Sequence, residues 1–122
     1  MRELCAGVAQ SFGIAVELKY RRRYPATVNS AAETAVALRA AGRTVGAANT
    51  VDNRPPSMAS EDFGFMLQSR PGCYVWLGAG DSSGGRTLHS PVYDFNDRLL
   101  AIGAAYWVNV AYEGLAAANS PP

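Results

Sequence analysis

Residues 97 to 112, DRLLAIGAAYWVNVAY, constrain this chain more than any other stretch. The spacing predicts a helix from about Asp97 through Tyr112, and Leu99, Leu100, Ile102, Ala105, Tyr106, Trp107, Val108 and Val110 fall on most of its sides. A helix with one apolar stripe rests on a core, whereas one apolar nearly all round must be covered from several directions. The expectation is a helix packed inside a larger body.

The chain has 122 residues, room for one compact domain or for parts of two, with a moderate core. Hydrophobic residues make up 48%, charged residues 17%, and the formal net charge is +1, the profile of an ordinary soluble globular protein. Lys19, Arg21, Arg22 and Arg23 cluster, but no aromatic ladder interleaves them, so they read as a solvated strand face or a local interface. No nucleic-acid partner is expected. Met1 leads into Arg2-Glu3 without an apolar signal core, and no stretch reaches the roughly 18 unbroken apolar residues of a membrane span. The expected location is the cytoplasm, without a membrane partner. Cys5 and Cys73 lie in unlike contexts and read as reduced thiols.

Leu4, Val8 and Phe12 recur at helical spacing and Gly13 follows as a stop, but no Ser, Thr, Asp or Asn cap precedes this helix, as in a truncated protein. IAVELKYRRRY then alternates, with Ile14, Val16, Leu18 and Tyr20 on one face, which predicts a half-buried strand ended by Pro25. Ser30 with Glu33 three residues later predicts a capping box for a second helix, closed by Gly42. With Ser30 as cap, the amide of Asn29 is free for another task, an Asx-type turn contact being the plain alternative. A short strand around Thr44 to Ala48 precedes a Pro-Pro loop. A third helix is expected with Ser60 as N-cap, Glu61 and Asp62 in its first turn, and Pro71-Gly72 beyond its end. CYVWLGAG, residues 73 to 80, is a nearly continuous apolar run that reads as a central strand covered on both faces. DSSGGRT reads as a flexible turn and AAANSPP as a disordered tail.

MASEDF (58 to 63), PGCYVWLGAG (71 to 80) and LHSPVYDFND (88 to 97) resemble, in order and spacing, the C-terminal third of the metal-dependent amidohydrolases typified by bacterial hippurate hydrolase, N-acyl amino acid hydrolases and auxin-conjugate hydrolases. The upstream ELKYRRRYPATVNS is similar to that family as well, so the resemblance covers residues 2 to about 115. It implies an α/β fold: the C-terminal part of a zinc-peptidase-like α/β catalytic domain, preceded by the last helix and strand of a ferredoxin-like lid domain. On that map residues 1–27 are the remnant of the lid or dimerisation domain, 28–115 the C-terminal portion of the catalytic domain, and 116–122 the disordered tail.

The same resemblance implies the site residues. His89, in the Leu-His-x-Pro stretch, matches a metal ligand of the family, and a neutral imidazole on a Pro-stiffened loop suits zinc or manganese. Met58, Ala59 and Ser60 match a turn whose backbone binds the substrate carboxylate, although Glu61 and Asp62 oppose an anion there. Asn29 matches a lid-side asparagine that binds substrate. The intact parent is expected to use two divalent metal ions and to hydrolyse N-acyl amino acids, its other ligands and its general base lying in motifs absent from this sequence. This chain alone is therefore expected to bind no metal, to lack activity and to form a homo-oligomer. The competing reading is a non-catalytic, self-associating interaction module.

Overall fold

The computed structural model describes residues 1–80 and 87–119. Its elements are helices: α1 (Arg2–Phe12), α2 (Ala31–Val45), a single 3-10 turn (Ala47–Asn49), α3 (Phe63–Ser69) and α4 (Arg98–Ala118). Helix α1 ends as its sequence requires, at Gly13 in the left-handed region (φ 62°), whose N–H returns to Ala9 O. Its apolar stripe of Leu4, Val8 and Phe12 stays exposed, and no residue of α1 is buried.

The core lies between α2 and α4. Ala37 and Ala40 are buried, and their small side chains let the two helix backbones approach closely. Across this seam Glu113 of α4, only 5% exposed, accepts from Arg39 Nε at 2.7 Å and pairs with Arg43 Nε at 2.5 Å. Burying a lone carboxylate would be costly, so the two guanidinium groups are what make Glu113 tolerable there. One turn away, Asn109 Nδ2 donates to Thr44 Oγ1 at 3.0 Å. Arg43 also lies 4.9 Å over the Tyr112 ring.

Several sequence expectations are corrected. Among the described residues no strand ladder forms, so the α/β expectation is met there only by helices. Residues 14–24 and 73–80 run without regular structure, because a ladder needs a neighbouring strand and the described residues bring none alongside either segment. Val75, Trp76 and Leu77 are each nearly half exposed, so that run is not covered on both faces. Thr44 and Val45 finish α2, which passes Gly42 and stops at Gly46 (φ 83°), and the 3-10 turn takes the place of the short strand expected at 44 to 48. The Ser30–Glu33 capping box does not form, because Ser30 Oγ accepts from Gly72 N–H instead. Helix α3 starts after Asp62 rather than Ser60.

Helix α4 runs on to Ala118, so residues 116–118 of the expected tail are helical, while 120–122, like 81–86 of the expected flexible turn, lie outside the described residues. It is also long and apolar enough, by length and composition, to cross a membrane, contrary to the expectation that no stretch is. The side of α4 that carries Asn109 and Glu113 faces α2. Only that side and the Leu77 contact at Gly103 are covered. Leu100, Trp107, Val108 and Leu115, spaced on one stripe, are each more than three-fifths exposed, so the covering expected on all sides is absent among the described residues.

Candidate functional site

Asn29 and Ser30, at the entry to α2, clasp the start of the apolar run 73–80. Asn29 Nδ2 donates to Tyr74 O at 3.0 Å while its Oδ1 accepts from Tyr74 N–H at 2.8 Å. Alongside, Ser30 N–H donates to Gly72 O at 2.9 Å and Gly72 N–H donates to Ser30 Oγ at 3.2 Å. The Asn29 amide thus imitates a backbone unit and makes one rung of a ladder with its side chain. It is not a local Asx turn: the partner lies 45 positions away.

Tyr74 connects this clasp to the turn before α3. Its hydroxyl donates to Glu61 Oε2 at 2.8 Å, and Glu61 Oε1 accepts from Phe63 N–H at 3.2 Å. The Phe63 and Tyr74 rings meet at 5.4 Å, and Trp76 follows edge-on at 6.2 Å from Tyr74. The Tyr74 hydrogen bond, assisted by those from Asp62 and Phe63, holds Glu61 below its ordinary carboxylate value. Asp62 moves the opposite way, raised by its hydrogen bond with Glu61 and by repulsion from that charge, and the Glu61 bond also raises the Tyr74 phenol. Each Glu61 oxygen thus already accepts one hydrogen bond.

The Met58–Ala59–Ser60 turn is exposed, Met58 completely so, and Ala59 N–H donates to Ser57 Oγ at 3.3 Å. Ser60 borders an open hollow of about 470 Å³ whose other walls are Tyr20, Arg21, Arg22, Arg23 and Tyr24. The Tyr24 ring meets Phe65 of α3 at a tilt, 6.0 Å between centroids. At buried Gly64 a Cβ would come within 3.1 Å of both Pro25 Cγ and Pro25 O. Glycine lets α3 sit this close to Pro25 without displacing it, and Ser60 and the arginine run line one concavity beside this contact.

His89 stands apart, exposed on a turn in which Ser90 N–H donates to Thr87 O at 3.1 Å and Tyr93 N–H donates to Ser90 O at 3.1 Å. It is the one non-glycine residue with positive φ, 65°, among those described. That conformation is disfavoured for most side chains and concentrates where a side chain is held for a purpose. Among the described residues no group of three or more His, Cys, Asp or Glu side chains could hold a metal ion. The chain offers one imidazole, which by itself does not fit a metal centre.

The structure thus brings Asn29, Tyr74, Glu61 and the Met58–Ser60 turn into one neighbourhood, with His89 on a separate turn. Tyr74 was missed in the sequence, although a phenol inside the otherwise apolar CYVWLGAG run signals a hydrogen-bond partner to be found. Asn96 was missed as well: its Nδ2 donates to Ala79 O at 3.2 Å and its Oδ1 accepts from Arg98 N–H at 3.3 Å, tying the end of that run to the start of α4.

Comparison with known proteins places residues 6–113 in a match to the model of peptidase family M20/M25/M40. Hippurate hydrolase of Campylobacter jejuni is 33% identical over 113 residues, which are 93% of this chain and 29% of the relative. The putative amidohydrolase YhaA of Bacillus subtilis is 32% identical over 80% of this chain and 25% of its own length. An N-acetyldiaminopimelate deacetylase of Pediococcus pentosaceus is 32% identical over 84% of the chain and 26% of the relative. The chain spans less than a third of the length of these curated relatives, and no solved structure matches it. A match that takes in most of α1, the Asn29 clasp, the Ser60 hollow, the His89 turn and most of α4 shows that the chain belongs to peptidase family M20/M25/M40.

Proposed function

We propose that this chain serves as the C-terminal part of a metal-dependent amidohydrolase that cleaves the amide bond of N-acyl amino acids. The family match over residues 6–113 carries this reading, and two relatives are named for N-acylated amino acids, hippurate and N-acetyldiaminopimelate. In the fold proposed for the whole protein, α2, α3 and α4 belong to an α/β catalytic domain, and α1 is the last helix of a lid. Residues 14–24 form the last strand of a lid and gain their ladder from lid strands outside this sequence.

In this reading His89 is the metal ligand that the chain contributes, held by its left-handed turn. Two divalent ions, zinc or manganese, supply Lewis-acid chemistry when bound, their remaining ligands coming from outside these residues. Met58, Ala59 and Ser60 receive the substrate carboxylate, and the hollow that Ser60 shares with Arg21, Arg22 and Arg23 supports an anion there. Asn29 keeps one amide N–H and one oxygen lone pair beyond its two bonds to Tyr74, enough to bind an acyl amino acid.

The test is His89→Ala in a full-length enzyme containing these residues. Activity on hippurate should fall by at least roughly a hundredfold, the upper end for losing even an outer partner of a metal ligand, with bound metal reduced and thermal unfolding little changed. Normal metal content and rate would remove His89 from the site.

A second reading is favoured by the uncovered stripe of α4, with Trp107 and Val108 each 69% exposed. By itself the chain associates with a second copy through that stripe, as an interaction module without catalysis.

A further inference from the structure

We infer that Tyr74 and Glu61 form a positioning pair that fixes the Asn29 amide relative to the Met58–Ser60 turn, an inference that rests on the substrate-binding roles proposed for Asn29 and Ser60. An unbroken series of contacts carries it. The Asn29 amide exchanges two hydrogen bonds with the Tyr74 backbone, the Tyr74 hydroxyl reaches Glu61 Oε2, and Glu61 Oε1 holds Phe63 N–H at the start of α3. Each link restricts a different freedom. Two antiparallel bonds to one backbone unit prevent the Asn29 amide plane from turning. The phenol bond fixes where Tyr74 lies along α3, and the Phe63 ring, 5.4 Å from that of Tyr74, prevents tilting.

Glu61 directly follows Ser60, so the carboxylate that anchors Tyr74 also sets the exit direction of the turn. Each of its oxygens already accepts one hydrogen bond, and it acts through Tyr74. The remaining N–H of Asn29 is thereby aimed in advance, so binding need not spend free energy on orienting it.

Two measurements test the pair. In the 122-residue chain, the side-chain NH2 signals of Asn29 are followed by nitrogen-15 NMR, with helix content checked by circular dichroism. Tyr74→Phe and Glu61→Ala should each shift these signals and speed their exchange by about tenfold, as expected for loss of one charge-assisted hydrogen bond. Glu61→Gln keeps an acceptor for the phenol while losing the one for Phe63 N–H, and should return the signals most of the way to wild type. Unmoved Asn29 signals in Tyr74→Phe and Glu61→Ala, or Glu61→Gln shifting them as far as Glu61→Ala, would overturn the inference.

In a full-length enzyme that cleaves hippurate, Glu61→Ala should raise KM about tenfold with kcat nearly unchanged, again the scale of one such bond, and Glu61→Gln should recover most of it. An unchanged KM beside shifted Asn29 signals would remove Asn29 from substrate binding and overturn the positioning role of the pair. If the enzyme does not cleave N-acyl amino acids, the function proposed above falls, while the Asn29 signals still decide whether the pair exists.

Discussion

Glu113 of α4 accepts a hydrogen bond from Arg39 Nε of α2 at 2.7 Å, joining two residues 74 positions apart across the only helix pair packed face to face among those described. Arg43 braces the other oxygen. The carboxylate is nearly buried while both arginines remain about half exposed, so the pair closes the seam from its wet side.

This arrangement gives stability a pH dependence of known sign. The Arg39 hydrogen bond is the main cause holding the Glu113 carboxyl below its ordinary value. A carboxylate depressed in the folded state stabilises fully above its unfolded pKa, about 4.3, and loses that contribution as pH falls through the folded value. Glu113→Gln should therefore melt at a lower temperature than the wild type at pH 7, and the gap should close below pH 4. Thermal melts of both proteins across this range check it; a gap that stays constant into acid would place the stabilisation elsewhere.

Two glycines should respond to alanine with opposite signs. Gly42 lies inside α2 with open space where a Cβ would stand, so Gly42→Ala should stabilise by about 0.5–1 kcal/mol through helix propensity. At Gly64 the added methyl meets the Pro25 ring and carbonyl at 3.1 Å, and the fixed φ of proline gives that neighbour little room to retreat. Gly64→Ala should destabilise by about 1–3 kcal/mol, the cost of overpacking. Denaturant unfolding of the two variants measures both.

The stripe of Leu100, Trp107, Val108 and Leu115 predicts association of the isolated chain. Exposed apolar area of this kind seldom persists in water, and an unpaired segment such as residues 14–24 offers backbone groups to a second copy. Repulsion among Arg21, Arg22 and Arg23 favours an antiparallel two-fold pairing. Light scattering over a dilution series should give a mass at least twice 12.9 kDa; a compact monomer of 12.9 kDa at high concentration would exclude the arrangement.

Helices were legible in the sequence wherever their signals were local. Leu4, Val8, Phe12 and Gly13 contain within one short segment all that fixes α1, and the apolar density of residues 98–112 announces α4. What escaped was set at a distance. Ser30 has the right neighbour for a capping box, but Gly72, 42 positions away, takes its hydroxyl. The alternation of residues 14–24 describes what a strand's faces would need and says nothing about whether a partner lies beside it. The site followed the same rule: the freedom of Asn29 from capping could be read locally, whereas its engagement with Tyr74 depends on two segments meeting in space.

The close approach of Gly64 to Pro25 has a kinematic meaning. Residues 25–30 are pinned at one end by α3 against Pro25 and at the other by the Asn29–Tyr74 clasp, so they move with the helices that follow. Any swing of the preceding chain must then take its axis ahead of Pro25, in the stretch from Tyr20 to Tyr24. Asn29 stays on the stationary side of that axis, and the arginine wall of the Ser60 hollow lies at the axis itself.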